Sequence, residues 1–420
     1  MDTETQANNV QKLPRPKYVV GMDAHSQKLA ISIWECTDPW NPILYKRIPN
    51  FEICALRKTY ERHVPLESIT IVEASTNAAY LKHKLDSMGY RAEVVRADVI
   101  KGKERSRKIC DSKDADNLAL AYIKGAIQEF VWCPTDEFIE YRELVFSYRD
   151  CKKDLTRVSN RIWALCSQKG FDLEFIGGTT NPEKLRLKVT NLNVNGFTRM
   201  RLEMLVDEYE HFMKRREMLK KMMAEFVFQD NDMIALMQLP GVNYRTAFVT
   251  MAAIGNINRF STPSKLAAYG GFSPILNTSG NEELRAQQKG GTGKPLDKEG
   301  RRDIKSFYVE ARQTVLNTCA SSTLGKWGWR LINRGKPKNK VVCAIARKLI
   351  TYAWHILHHD PTPNCEAEKF FNRKLVRFCG VLGKERLREL GYTKREDFAN
   401  KHTHRLYSGL SRAEANACAV

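Results

Sequence analysis

The sequence predicts an α/β domain built on a mixed sheet, then a coiled-coil helical arm, then a mainly α-helical C-terminal domain. Three observations carry this. Between Lys17 and Ile127, short apolar runs bounded by turns alternate with helical patterns. From Phe138 to Cys166, and again from Leu202 to Phe226, apolar residues recur in steps of three and four. Beyond Leu236, helical blocks are separated by Gly- and Pro-containing turns and by loops rich in Lys and Arg. With 420 residues and 43% apolar content, the chain holds enough for two or three cores. The predicted organisation is a polar tail (1–16), an α/β domain (17–134), a helical arm (135–230), a helical domain (231–357) and a C-terminal extension (358–420).

The balance of charge concerns partners rather than fold. Lys and Arg number 68 against 48 Asp and Glu, a net charge of +20, which favours nucleic acid. The first 16 residues lack an apolar signal region, and no run is long enough to span a bilayer, so no membrane partner is expected. The 11 cysteines are scattered, with no CxxC pair. They suggest neither a zinc site nor a disulfide framework, and the expected compartment is the reducing cytoplasm.

In the first domain, Tyr18–Met22 and Leu29–Trp34 read as strands paired around Ala24-His25-Ser26-Gln27, and Ile43–Ile48 as a third strand. Ile69–Val72 reads as a short buried strand, Ala78–Met88 as a helix, and Ala92–Val95 as another strand. Hairpin strands followed by a βαβ pattern give a mixed sheet with helices packed on it. An Ala- and Leu-rich helix then begins at Asp111. Asp111 and Asp114, three residues apart, share one face of it, where their like charges repel unless solvated or bridged by a cation. Asp23 and Glu73 each end a strand, where open α/β sheets place ligands. Four carboxylates so placed suit a hard, oxygen-liganded ion, Mg²⁺ or Mn²⁺. Taken alone, Asp111 and Asp114 would be a solvated helix start favoured by the dipole.

The arm has Tyr141, Leu144, Tyr148, Cys151, Leu155, Val158, Ile162 and Leu165 on its first helix, and Leu202, Leu205, Tyr209, Phe212, Arg216, Leu219, Met223 and Phe226 on its second. An antiparallel coiled coil and an ordinary helical hairpin both fit this pattern, and Arg216 interrupts it at a core position. Arg142, Arg149, Lys152, Lys153, Arg157 and Arg161 lie on the outer face, solvated or facing phosphate. Leu239-Pro240-Gly241-Val242-Asn243 before Tyr244 reads as a tight turn of helix-hairpin-helix type, whose amides can contact a phosphate. Asn243 stands where a second glycine is usual, and Asn tolerates the left-handed conformation.

Further on come Tyr269-Gly270-Gly271-Phe272 and Asn277-Thr278-Ser279-Gly280, then a basic stretch with Arg285, Lys289, Lys294, Lys298, Arg301, Arg302 and Lys305. Arg334-Gly335-Lys336-Pro337-Lys338 precedes an apolar helix, Val341–Leu357. These cations from Arg285 to Lys305, with Lys336 and Lys338, are the candidate nucleic-acid contacts. In isolation, Ser279 is a turn residue. Its interest comes from the cations around it, which could offset the charge that builds on an attacked phosphodiester. Residues 358–420 contain Glu366–Val376 and Glu385–Gly391 as short helices and then a polar tail. Packing on the third module or basic surface is the expected role.

The first domain resembles the RuvC-like, RNase H-fold nucleases. Val20-Gly21-Met22-Asp23, Val72-Glu73-Ala74-Ser75 and Asp111-x-x-Asp114-Ala115 together resemble the DEDD signature of the insertion-sequence-110 family of transposases and the related Piv-like DNA invertases. The blocks around Ser279 and Ala346-Arg347-Lys348-Leu349 resemble the C-terminal transposase domain of the same family. The resemblance spans about Tyr18 to Leu357. It implies an RNase H-like fold for the first domain. It implies a DNA transposase or site-specific recombinase, with Ser279 as nucleophile forming a 5′-phosphoserine link and Asp23, Glu73, Asp111 and Asp114 holding the metal. Donor and target DNA, a bridge RNA as guide and a homo-oligomer, dimer or tetramer, are the implied partners. The rivals are a metal-dependent nuclease or Holliday-junction resolvase using only the four acids, and a non-catalytic nucleic-acid-binding descendant.

Overall fold

A computed structural model describes residues 16–25, 27–38, 40–96, 111–127, 129–171, 181–273, 300–359 and 366–407. The chain divides into two compact units, Met1–Thr135 and Asp136–Val420.

The first unit is a five-stranded mixed sheet flanked by helices. Its strands are β1 (Tyr18–Ala24), β2 (Lys28–Glu35), β3 (Ile43–Glu52), β4 (Ser68–Glu73) and β5 (Arg91–Val95), in the order β3-β2-β1-β4-β5. β1 to β3 form an antiparallel meander, and β4 and β5 run parallel to β1. This architecture is consistent with the RNase H-like expectation. Side chains alternate across the pleat. Val20 and Met22 share one core with Leu56, Tyr60, Leu81 and Leu85, contributed by α1 (Leu56–His63) and α2 (Ala78–Ser87). Val19, Ile69 and Ile71 face the other way and share a core with Leu118 and Ala119 of α3 (Asp111–Ile123). α1 was not foreseen, because only Leu56 and Tyr60 mark its inner face. Tyr60, fully buried, meets Thr70 Oγ1 at 3.2 Å through its hydroxyl.

The second unit is helical among its described residues. α4 (Asp136–Gln168) and α6 (Gly196–Gln229) are antiparallel, since Tyr141 packs on Phe226 while Cys151 Sγ lies 3.2 Å from Phe212 O. Arg216 is buried within this pair and meets Glu217 at 3.2 Å. Between them, α5 (Pro182–Thr190) starts on Asn181, whose side chain accepts from the amides of Glu183 and Lys184. An Asn N-cap with Pro at the first helical position was a readable start signal. Further along lie α7 (Asn231–Leu236), α8 (Tyr244–Ile254), α9 (Pro263–Tyr269), α10 (Arg302–Asn317), α11 (Thr323–Asn333) and α12 (Lys338–Leu357). The extension supplies α13 (Glu368–Leu382), α14 (Lys384–Glu389) and α15 (Arg395–Tyr407). α15 replaces the start of the expected polar tail; its inner face is Phe398, Ala399, His402, Thr403 and Tyr407. One continuous apolar core runs from Tyr141 to Tyr407, so arm, helical domain and extension share it. α8 is its centre: every residue from Thr246 to Ile254 is buried.

No helix among the described residues is long and apolar enough to cross a membrane. Within the extension, His402 packs its ring 4.3 Å from that of Phe398, and its buried Nδ1 has no hydrogen-bond partner. Burial, then the nearby Arg405 and Lys401, push its pKa down from 6.5 to about 4. The unfolded chain therefore takes up a proton first, so the stability contributed by the neutral ring is complete above pH 6.5 and is lost as pH falls towards 4. Urea midpoints should fall across this window, and His402→Phe should flatten the fall. An unchanged pH dependence in that variant would assign the acid sensitivity to another group.

Candidate active site

Two places bring together residues singled out in the sequence, one in each unit. In the first unit, the parallel register pairs Gly21 with Ile71 and Met22 with Val72. Asp23 and Glu73 are thus the next residues along neighbouring parallel strands. α3 crosses β1 at Gly21, so closely that a Cβ there would lie 1.8 Å from Ala115 O and 2.9 Å from Ala119 N. This crossing carries the backbone of Asp114 to the same end of the sheet. The side chain of Asp111 lies outside the described residues.

The carboxylates share a sheet edge without forming a ligand set. Among the described residues, no group of three or more His, Cys, Asp or Glu side chains is placed to hold a metal ion. Asp23 is 6% exposed, and its Oδ2 faces His25 Nε2 at 3.3 Å. Asp116, on the same helix as Asp114, is taken by Arg47 of β3, with Nε at 3.1 Å from both carboxylate oxygens and Nη2 at 2.7 Å from Oδ2. This corrects the expected Mg²⁺ or Mn²⁺ site at Asp23, Glu73, Asp111 and Asp114. Register aligns the backbones, whereas chelation needs the oxygens to converge on one point. The metal-assisted recombinase falls with that site, and so does the rival nuclease that relied on it alone.

In the second unit, the residues on either side of 274–299 are pinned together at Gly271 and Gly300. α9 ends at Gly270, Gly271 takes φ +72°, and Gly300 returns against it. A Cβ on Gly300 would lie 2.2 Å from Gly271 Cα, and the Arg301 amide donates to Tyr269 O at 2.9 Å. Gly271 and Gly300 therefore meet at one neck. Ser279, Arg285, Lys289, Lys294 and Lys298 fall in 274–299, outside the described residues.

Three guanidinium groups gather at this neck, around the carbonyl end of α8. Arg142 donates to Ala252 O and Ala253 O at 2.9 and 3.0 Å. Arg259 donates to Ile254 O at 2.8 Å and sits 4.2 and 4.4 Å from the ring centres of Phe260 and Tyr269. The C-terminal end of a helix favours such cations. Arg301 forms a two-pronged pair with Asp303, at 3.1 and 2.5 Å. Burial opposes the charge on Asp303, yet Arg301 holds its pKa below the usual carboxylate value. Burial, and then the charge of Arg301, lower the pKa of Arg142. With three cations to one carboxylate, the neck is electropositive.

The remaining candidates differ in how far they are committed. Arg301 is engaged inside the module, whereas Arg302, Lys336 and Lys338 are exposed and Lys305 is half-buried. Arg142 and Lys152 are not simply on the arm's outer face: Lys152 pairs with Glu310 of α10 at 2.7 Å. The turn from Leu236 to Val242 is buried throughout, so it does not offer its backbone to a phosphate. Gly241, at φ +77°, lets the turn approach Ala311 O, which a Cβ would meet at 2.3 Å. Asn243 is extended rather than left-handed and caps α8, its Oδ1 accepting from the amides of Arg245 and Thr246. The carbonyls of Met237, Leu239 and Val242 point inward to Lys374 Nζ at 2.9, 2.7 and 3.1 Å. Sequence reasoning missed Lys374, Arg142 and Arg259 as parts of the module's interior, because a lone cation carries no signal of which carbonyls it will meet.

Comparison with known proteins places the second of these sites in a recognisable stretch. Residues 233–321 match the family described as Transposase IS116/IS110/IS902 family. The chain is 23% identical over 337 residues to the transposase for insertion sequence element IS1111A of Coxiella burnetii, covering 79% of this chain and 87% of that protein. It is 25% identical over 161 residues to a probable family 20 transposase of Pseudomonas aeruginosa, covering 38% of this chain and 45% of that one. The matched stretch encloses the neck at Gly270, Gly271 and Gly300 and the whole of 274–299.

Proposed function

We propose that this protein is a DNA transposase that cleaves and transfers strands through Ser279. The observation that carries the reading is the family match over 233–321, which encloses Ser279 and the electropositive neck. In this reading, Ser279 Oγ bonds to a backbone phosphorus, the bond from phosphorus to the 3′ oxygen breaks, and the serine proton is lost as the 3′ oxygen gains one. The product is a 5′-phosphoserine link and a free 3′ hydroxyl, and reversal on a second strand completes transfer. Arg142, Arg259 and Arg301 contribute a fixed positive field at the neck formed by Gly271 and Gly300. No metal ion enters this scheme. Donor and target DNA are the substrates. A bridge RNA and a homo-oligomer belong to the reading through the resemblance of the two motif-bearing regions, and RNA co-purifying with the protein would identify the guide.

The test is a donor plasmid carrying the gene with its flanking DNA, with new junctions read by sequencing and denaturing gels used to trap protein–DNA adducts. The wild-type chain should give both junctions and adduct. Ser279→Ala should give neither, while still binding DNA. Junctions formed at normal frequency by Ser279→Ala would remove the serine step. A wild-type chain that neither cuts nor joins DNA would remove the transposase reading.

A further inference from the structure

The face formed by α11, α12 and the turn between them is built for a polyanion. From Ala311 to His359 the sequence contains no Asp or Glu, but nine Lys and Arg. Those 49 residues supply nearly half of the chain's net charge of +20. The charges are sorted by packing. α11 turns Leu324, Gly325 and Gly328 inward, and α12 buries Val341, Val342, Ile345, Ala346, Leu349 and Ile350. Every residue from Asn333 to Lys340 is exposed, and four of those eight are Arg334, Lys336, Lys338 and Lys340.

These four are displayed rather than consumed. Elsewhere in the unit, exposed cations find carboxylates, as Lys153 does on Asp150 and Arg157 on Asp154. Among the described residues, no carboxylate pairs with Arg334, Lys336, Lys338 or Lys340. The turn is also short and set. Gly335 takes φ +81°, its amide donates to Ile332 O at 2.9 Å, and Pro337 opens α12 at φ −55°. Like charges held this closely repel one another, a cost that a phosphate backbone would offset.

We propose that this turn grips the backbone of a double-helical nucleic acid. The proposal rests on the nucleic-acid reading above, but it lies beyond the family match, which ends at residue 321. A duplex is favoured over a single strand because the exposed run from Asn333 to Lys340 carries no aromatic ring on which a base could stack. Lys348 Nζ sits 4.9 Å from the ring centre of nearby Trp327 and 6.0 Å from that of Tyr352. Single-strand binding relies on free aromatic platforms for stacking, whereas duplex backbones are read by charge. Duplex DNA and duplex RNA share this chemistry, and the test separates them.

The full chain is titrated against labelled random-sequence duplex DNA and the same sequence as duplex RNA, over a range of salt. The turn variant carries Arg334→Gln, Lys336→Gln, Lys338→Gln and Lys340→Gln. A control variant carries Lys169→Gln, Lys184→Gln, Arg201→Gln and Lys221→Gln, also exposed, on the arm. Four lost phosphate contacts should flatten the slope of log affinity against log salt by roughly 3 to 4, and weaken binding by about 10² to 10³-fold near physiological salt. The control should change the slope by less than half as much, and both variants should melt like wild type. Whichever duplex loses more in the turn variant is the ligand of this face. Equal losses in both variants would mean a general charge effect and would overturn the proposal, as would an unchanged slope in the turn variant. If the wild-type chain binds neither duplex, the nucleic-acid reading falls first and this face falls with it.

Discussion

Replacing Gly21 by alanine should unfold the first unit rather than trim it. Gly21 has ordinary backbone angles, so the requirement is one of space. A methyl group there would sit 1.8 Å from Ala115 O, 2.9 Å from Ala115 C and 2.9 Å from Ala119 N. All three are main-chain atoms of α3, which no rotamer change can move aside. α3 would have to rise off the sheet by more than 1 Å, and Ala115, Leu118 and Ala119, now at most 1% exposed, would lose their packing on β1. The small residues of α3 exist to allow this contact. Overpacking of this kind costs about 3 kcal/mol or more, a large share of the stability of a domain this size. Hydrogen exchange on the full chain should show amides of β1, β4 and α3 losing protection together, with the second unit unaffected. Undiminished protection in α3 would mean that the helix does not cross β1 at this glycine.

How far the fold could be read from the sequence follows from where its signals reside. The strands of the first unit were legible because alternation and β-branched runs are local. Val19 and Val20 already declare two faces, and the structure gives each its own core. The long helices α4 and α6 were legible because eight apolar residues on the first, and seven with Arg216 on the second, repeat the same interval. α1, α5 and α15 were not foreseen: each is short, their inner faces are defined by what they meet, and the Asn181–Pro182 start signal of α5 marks one end only. The acids show the sharper limit. Spacing located the strand ends and the helix start, and register pairs Met22 with Val72, one step before Asp23 and Glu73. Convergence of their oxygens depends on rotamers and on partners such as His25, which no spacing encodes. The turn at Leu239–Asn243 failed for the same reason. It has the composition of an exposed hairpin, but the segments that bury it, at Ala311 of α10 and Lys374 of α13, come far later in the chain.

That burial hinges on Lys374, and replacing it with methionine should unfasten the extension from the module. Methionine keeps most of the apolar stem and removes the ammonium. Three carbonyls, those of Met237, Leu239 and Val242, then lose their donor. Glu366, 4% exposed, loses its counter-charge, since its Oε2 faces Lys374 Nζ at 2.7 Å. Its remaining neighbours keep it in place: the Glu366 amide donates to Gln238 O at 2.8 Å, Tyr407 donates to its carbonyl at 2.7 Å, and Cys319 Sγ lies 3.2 Å from Oε1. A carboxylate held there without a cation costs about 3 to 5 kcal/mol. Glu366→Gln should cost less, about 1 to 2 kcal/mol, because the ammonium keeps its three carbonyls. The double variant Lys374→Met with Glu366→Gln should be more stable than Lys374→Met alone, since no buried charge is left unpaired. Cys319 gives an independent readout. Burial, then Glu366, raise its thiol pKa from 9.0 to about 12. The unfolded chain therefore loses this proton first, so the contribution of the neutral thiol is complete below pH 9 and declines as pH rises towards 12. Thiol alkylation at Cys319 in the native protein should accordingly be slow in wild type and fast in Lys374→Met, where the extension opens. Equal alkylation rates and equal melting in the two proteins would show that the extension is held by its apolar contacts alone.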